Sequence, residues 1–354
     1  MKLAVLGAAV STAIAQATAS PPAPRVDLKL VAPSTHGRWT LRLTNASPIP
    51  VRIVADLRLL ALDVTPRSSR TVHCELPEDM RPEDDVDRRL LVPPGRSYVE
   101  DFDPRLYCFG NVGLDAIAPG AIVVAHLGFA KATSAHSRLE VAPAPGDAPT
   151  FAGLARLDAP PIAVPDEPTA APLATASNPS DATKGADPAA LSLRLQGARA
   201  VDADSPNEAE VPVTLENRGP RSVTIRFRPE SLSFDVEGPG GTEHCPWPIP
   251  PAATTVEALT TLAPHESATL DVLLASYCHG DGLAAAGLVF VRPSLDTNDA
   301  PGRDAAPRAF AGRVTAATPT LLRLRHPSRY RVHAEAPAPE LEPMEPPALR
   351  EGPQ

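Results

Sequence analysis

Thr40-Leu41-Arg42-Leu43-Thr44-Asn45 and, far downstream, Val211-Pro212-Val213-Thr214-Leu215-Glu216-Asn217 are the two stretches from which the architecture follows. In each, apolar side chains take every second position until an asparagine closes the run. Successive side chains of an extended chain point to opposite faces, so this period of two predicts a strand with one buried and one wet face. The two runs also mark a duplication. His73-Cys74 aligns with His244-Cys245, Pro93-Pro94 with Ala263-Pro264, Tyr107-Cys108-Phe109-Gly110 with Tyr277-Cys278-His279-Gly280, and Phe151-Ala152-Gly153 with Phe310-Ala311-Gly312. The offsets are 172, 171, 170 and 159 residues (217−45, 245−74, 278−108, 310−151). The first three agree within two residues, and the last places an indel of about a dozen residues in a loop, where insertions are tolerated.

Further short apolar runs fill each copy. Val51 to Ile53, Leu57 to Val64, Tyr98 to Phe102 and Ile122 to Leu127 belong to the first; Val223 to Phe227, Leu232-Phe234-Val236 and Leu270-Val272 belong to the second. Turn signals such as Asn217-Arg218-Gly219-Pro220 separate them, and no stretch of 12 or more residues keeps a helical period. The expected fold is all-β: two tandem β-sandwiches. Short helices in loops, for instance around Pro82 to Arg89, fit this reading. The expected boundaries are a signal peptide at 1–19, a first repeat at 26–164, a Pro/Ala/Ser-rich flexible linker at 165–188, a second repeat at 189–326 and a disordered proline-rich tail at 327–354. The Leu-Thr-Asn and Leu-Glu-Asn strand ends, with closing strands starting at Phe151-Ala-Gly and Phe310-Ala-Gly, resemble tandem bacterial immunoglobulin-like or fibronectin-like modules. The antibody Cys…Trp…Cys arrangement is missing: no tryptophan lies between Cys74 and Cys108, and Trp247 follows Cys245 by two residues. The resemblance implies a fold class and carries no functional residues.

Lys2, the apolar stretch Leu3 to Ile14 and the small residues Ala13-Ile14-Ala15 and Ala17-Thr18-Ala19 read as an export signal cleaved after Ala15 or Ala19. The apolar stretch is shorter than the roughly 20 residues a spanning helix needs, so no transmembrane helix is expected in the mature chain. In an exported chain four cysteines point to two disulfides, for which three connectivities exist. Only Cys74–Cys108 with Cys245–Cys278 lets each copy fold by itself. The competing reading is metal ligation by His73-Cys74, His244-Cys245 and His279. Neighbours on a strand point apart, and Phe109 stands where His279 does, so no metal set is assigned.

The 354 residues carry 44 prolines, 21 glycines and a net charge of −9. Lysine occurs only at positions 2, 29, 131 and 184, and no basic stripe exists, which argues against nucleic-acid partners. No G-x-S-x-G, H-E-x-x-H, Walker or dinucleotide loop occurs. Gly238-Pro239-Gly240-Gly241 reads as a turn, and His265-Glu266-Ser267 as a loop, not a triad fragment. The acidic runs Glu78 to Asp87 and Asp296-Thr297-Asn298-Asp299 carry calcium-ligand residue types but read as solvated loops; Ala300 at the third ligand position argues further against calcium at the second. Aromatic residues make up only 4% of the chain, too few for a carbohydrate platform, and Trp247 in the proline-stiffened segment 245–251 is expected to pack over Cys245. No catalytic, cofactor or metal residue is assigned. The expectation is an exported, non-catalytic protein, periplasmic, surface-held or released, binding an unknown protein or envelope ligand. The alternative is a secreted protease inhibitor that offers segment 245–251 as a rigid loop.

Overall fold

A computed structural model describes residues 25–35, 37–67, 70–82, 89–128, 142–143, 156–166, 192–249, 259–298 and 309–327. The expected signal segment, nearly all of the linker and tail, Phe151-Ala-Gly, residues 83–87 of the acidic run and, with residue 88, most of the stretch around Pro82 to Arg89 read as a short helix lie outside the described residues. In the first repeat the strands are β1 (Val26–Val31), β2 (Trp39–Asn45), β3 (Val51–Val54), β4 (Leu60–Thr65), β5 (Val72–Glu75), β6 (Arg89–Val92), β7 (Ser97–Phe102), β8 (Ile122–Gly128), β9 (Ala142–Pro143), β10 (Arg156–Asp158) and β11 (Ile162–Ala163). They pair as β1-β2-β7 and, in a second sheet, as β10-β8-β4-β5 with β11 beside β8; β6-β3-β9 forms a small flanking sheet. Leu28, Leu30, Leu41 and Leu43 from the first sheet meet Leu62, Val64, Val123 and Leu127 from the second in one buried cluster. Each such side chain contributes roughly 1.5–3 kcal/mol of burial, which is why the period-two pattern specifies the sandwich.

The second repeat carries β12 (Leu193–Gly197), β13 (Ala200–Ala203), β14 (Glu210–Asn217), β15 (Val223–Ile225), β16 (Leu232–Gly238), β17 (Gly241–Pro246), β18 (Thr260–Leu262), β19 (Ser267–Leu273), β20 (Gly287–Asp296), β21 (Arg313–Thr315) and β22 (Thr320–Leu324). Its sheets are β12-β14-β19 and β13-β22-β20-β16-β17, with β21 beside β20 and a separate β15-β18 pair. The plan is that of the first repeat: two antiparallel sheets of an immunoglobulin-like sandwich over a core of their own. One strand is added. The chain leaves β12, crosses to the other sheet and pairs β13 parallel to β22.

The duplicated residues do duplicated work. Asn45 Nδ2 donates to the carbonyls of Ile49 and Val92 (2.8 and 2.9 Å), and Asn217 Nδ2 to those of Arg221 and Leu262 (2.8 and 3.1 Å). Their Oδ1 atoms accept from the amides of Ser47 and Gly219, two residues on. Tyr107 and Tyr277 each donate the hydroxyl to a carbonyl about fifty residues upstream, Leu57 (2.9 Å) and Pro229 (2.8 Å). Two expected strands are shorter than read. Asp56 accepts from the Arg58 amide at 2.9 Å and turns Leu57–Leu59 into a 3-10 segment, so β4 starts at Leu60. The 3-10 turn at Pro229–Ser231 follows β15, which ends at Ile225.

Cys74 pairs with Cys108 and Cys245 with Cys278, with Cα–Cα distances of 4.6 and 4.8 Å. Each bridge ties an edge strand, β5 or β17, to the segment that crosses from one sheet to the other. In the first repeat that crossover runs through a 3-10 turn (Pro104–Leu106) and α1 (Gly110–Ala116), the one α-helix among the described residues. In the second it is a 3-10 turn (Leu274–Ser276) followed by a loop.

The repeats touch, a feature the expectation of two sandwiches on a flexible linker did not contain. The crossover of the first repeat lies on the outer face of β20, β22 and β13. Leu114, Leu288 and Leu321 form a small buried cluster there, against Leu106, Phe109 and Phe290. The Arg323 guanidinium stands 4.4 Å from the Phe109 ring centroid, and that of Arg105 stands 5.0 Å from Phe290. Arg199 pairs with Asp115 at 2.6 Å. Nearby, Asp79 meets Arg325 (3.6 Å) and His326 (3.3 Å).

Candidate functional site

In β4, β5 and β8 the inward positions are apolar, so the alternate positions form one polar outer face. The register sets Asp63 opposite His73 and, on the next row, Glu75, Ala61, His126 and Asp158 in line. Across these rows the side chains join. His73 Nδ1 lies 2.7 Å from Asp63 Oδ1, His126 Nε2 lies 3.0 Å from Asp63 Oδ2, and His126 Nδ1 lies 2.7 Å from Asp158 Oδ1. Arg156 reaches Asp158 at 2.8 Å, and Arg81 reaches Glu75 at 2.7 Å. His126 is buried while its partners face solvent.

The electrostatics follow from this geometry. Burial would raise the Asp63 carboxyl, but the hydrogen bonds from His73 and His126 outweigh it and hold the group below the usual carboxylate range. The hydrogen bond to Asp63 raises His73 above the ordinary imidazole value, against the opposing effect of burial. Arg156, then His126, lower Asp158. Beside the network runs a groove of about 250 Å³ whose walls include His73, Glu75, Arg81, His126 and Arg156.

The second repeat repeats half of this. Asp235 and His244 occupy the same register positions and pair at 2.7 Å. Ser294 and Thr315 replace His126 and Asp158, with hydroxyls 3.0 Å apart. The adjoining groove is larger, about 630 Å³, and Asp235, Glu237, Glu243, His244, Phe290 and Arg292 line it. Among the described residues, the side-chain partners of the three imidazoles His73, His126 and His244 are carboxylates, not hydroxyls or thiols.

The candidate residues of the sequence that lie among the described residues take the following places. The cysteines are all bridged. His73 and Cys74 point to opposite faces, the cysteine into the core. Glu243, Cys245 and Cys278 bring ligand-type atoms within 4.8 Å of one another. The two sulfurs there are joined, and the Glu243 carboxylate accepts from the amides of His279, Gly280 and Gly282 (2.9, 2.7 and 3.1 Å). That glutamate clamps the loop after Cys278. His265 sits in a tight turn with φ 63°, and Glu266 Oε2 accepts from the Ala263 amide at 2.7 Å. Gly238 pairs with Gly241 across a two-residue hairpin turn. Asp296 Oδ1 accepts from the Asn298 amide at 2.9 Å, and Asp79 of the other acidic run faces Arg325. Trp247 packs edge-on against Tyr277, centroids 5.0 Å apart, beside the second bridge, while Ile249 remains exposed. Sequence reasoning missed Asp63, His126, Asp158 and Asp235. The signal was available, since each interrupts an apolar run at an outward position.

No family model matches this chain, and no curated protein matches it. Solved structures with similarity include red sea bream transglutaminase, at 9% identity and TM-score 0.20, covering 85% of this chain and 32% of that one. The Pseudomonas aeruginosa CupB2 chaperone shows 12% identity and TM-score 0.15, covering 82% of this chain and 97% of that one. The chain spans about a third of the length of the transglutaminase. The fold assignment rests on the strand pairing described above.

Proposed function

We propose that this chain is an exported, non-catalytic binding protein whose two immunoglobulin-like repeats present a polar groove surface to a protein or cell-envelope ligand. The observation that carries the reading is the duplicated Asp–His pair, Asp63–His73 and Asp235–His244, at the same register positions beside a charged groove in each repeat. Carboxylates, imidazoles and guanidiniums that alternate on a rigid sheet suit a polar peptide surface of mixed charge. The two closed disulfides, together with an N-terminal stretch whose sequence reads as an export signal, support passage into an oxidising compartment. Among the described residues, no helix is long and apolar enough to cross a membrane.

The test places a photo-crosslinking side chain at Thr242 in the larger groove and, as a control, at Arg194 on the opposite sheet, in the producing cells. Adducts from position 242 alone are expected; equal yields from both positions refute the groove as the contact. The N-terminus of the exported chain should begin after Ala15 or Ala19.

Protease inhibition is the second reading, and one observation favours it. Pro246, Pro248 and the ring contact of Trp247 with Tyr277 hold Ile249 out to solvent next to a disulfide, as a rigid inhibitory loop requires. A panel of secreted proteases assayed at micromolar protein decides it: no inhibition removes it.

A further inference from the structure

The surfaces that the first repeat offers to the second come from two separate chain segments. Asp79 lies in the Glu78–Met80 turn just after Cys74, and it faces Arg325 and His326. Phe109 follows Cys108 directly and leads into α1, whose Leu114 joins Leu288 and Leu321. The Cys74–Cys108 bridge is the covalent tie between these two segments, and both of its cysteines are buried. We propose that this bridge is the fastener of the contact between the repeats: it holds the Asp79 turn and the Phe109–α1 segment as one docking surface, without which the repeats lose their fixed relative orientation.

The second repeat shows that this is not a general property of the fold. Its bridge closes the same kind of crossover, but His279 stands in the place of Phe109, and Glu243 ties the following loop back onto its own repeat. The receiving face is likewise unshared, because it depends on β13 beside β22 and on the early residues of β20. Arg323, paired with Asp202 from β13, is held over the Phe109 ring and donates to the Leu106 carbonyl at 3.4 Å. The contact is one-directional within one chain, and the first bridge alone serves it.

The experiment compares small-angle X-ray scattering of the full chain with that of Cys74→Ala/Cys108→Ala and Cys245→Ala/Cys278→Ala, with amide hydrogen exchange to show which repeats stay folded. The first double variant is expected to gain radius of gyration and to lose amide protection in α1 and β22; the second should keep the parent scattering profile. A parent-like profile for the first variant, or the same opening in both, overturns the proposal. Should the first variant unfold its own repeat, Asp79→Ala and Phe109→Ala are made with both bridges intact. Each removes one of the two joined surfaces and should open the profile, and a parent-like profile from both also overturns the proposal.

Discussion

At Asn217 a single side chain amide holds four backbone groups: the carbonyls of Arg221, Leu262 and Ala263 through Nδ2 and the Gly219 amide through Oδ1. Asn45 holds three in the other copy, the carbonyls of Ile49 and Val92 and the Ser47 amide. Truncation leaves buried carbonyls and an amide without partners, at about 1–3 kcal/mol for each group that water cannot reach. Asn45→Ala and Asn217→Ala are therefore expected to lower stability by at least about 2 kcal/mol each in urea titration. A loss below about 0.5 kcal/mol would show the turns to be self-supporting. The Asp63–His73 pair makes a pH statement. His73 is raised above 6.5 in the fold, so its contribution is complete below that pH and disappears as pH rises through the folded value. Asp63 is lowered below 3.8, so its contribution is present above that pH and disappears as pH falls through the folded value. The pair stabilises most between about pH 4 and 6.5. Asp63→Asn should flatten the profile of melting temperature against pH on both sides of that window; an unchanged profile refutes the coupling. The asparagines were legible in the sequence because they end alternating runs in both copies. The Asp63–His126 link was not, because it depends on which strands pair, and a period of two assigns faces without assigning neighbours.

Among the elements, α1 shows how a short segment can be set by tertiary contact. Its seven residues, Gly-Asn-Val-Gly-Leu-Asp-Ala, are too few for a helical period and carry no side-chain cap. Gly113, one turn in from Gly110, lies against the crossover: an added Cβ would sit 2.5 Å from the Cys108 carbonyl carbon and 2.7 Å from its oxygen. In a free helix glycine to alanine is worth about 1 kcal/mol in favour of alanine. Here backbone must move, so Gly113→Ala is expected to destabilise the first repeat by roughly 1–3 kcal/mol. Chemical denaturation reads the sign directly, and a stabilised variant would show that α1 is not pressed onto Cys108. The strands of both sandwiches were readable from alternation, as at Leu232-Phe234-Val236. The parallel strand β13 was not, since Ala200–Ala203 has little apolar signal and gains its place from β22, all five residues of which are buried.

For the molecule as a whole, each bridge closes a span of 34 or 33 residues. Chain entropy assigns such a closure up to about 3.8 kcal/mol, a large share of a typical domain stability of about 5–15 kcal/mol. Cys245→Ala/Cys278→Ala should thus lower the unfolding free energy of the second repeat by up to about 3.8 kcal/mol, seen as an earlier denaturation midpoint in that repeat and not in the first. Equal loss in both repeats would mean that they unfold as one unit. The pairing was legible because the duplication leaves one connectivity that respects both copies. The contact between the repeats was hidden in a mismatch. Phe109 against His279 looked like a broken ligand set, and it marks the residue that the first repeat uses toward the second.

The floor of that contact includes β22, made long after the helix that rests on it. Some two hundred residues of chain separate α1 from Thr320–Leu324. A first repeat that folds ahead of the second leaves Phe109 and Leu114 facing water until β22 is in place, open to a chaperone or to another copy of the chain.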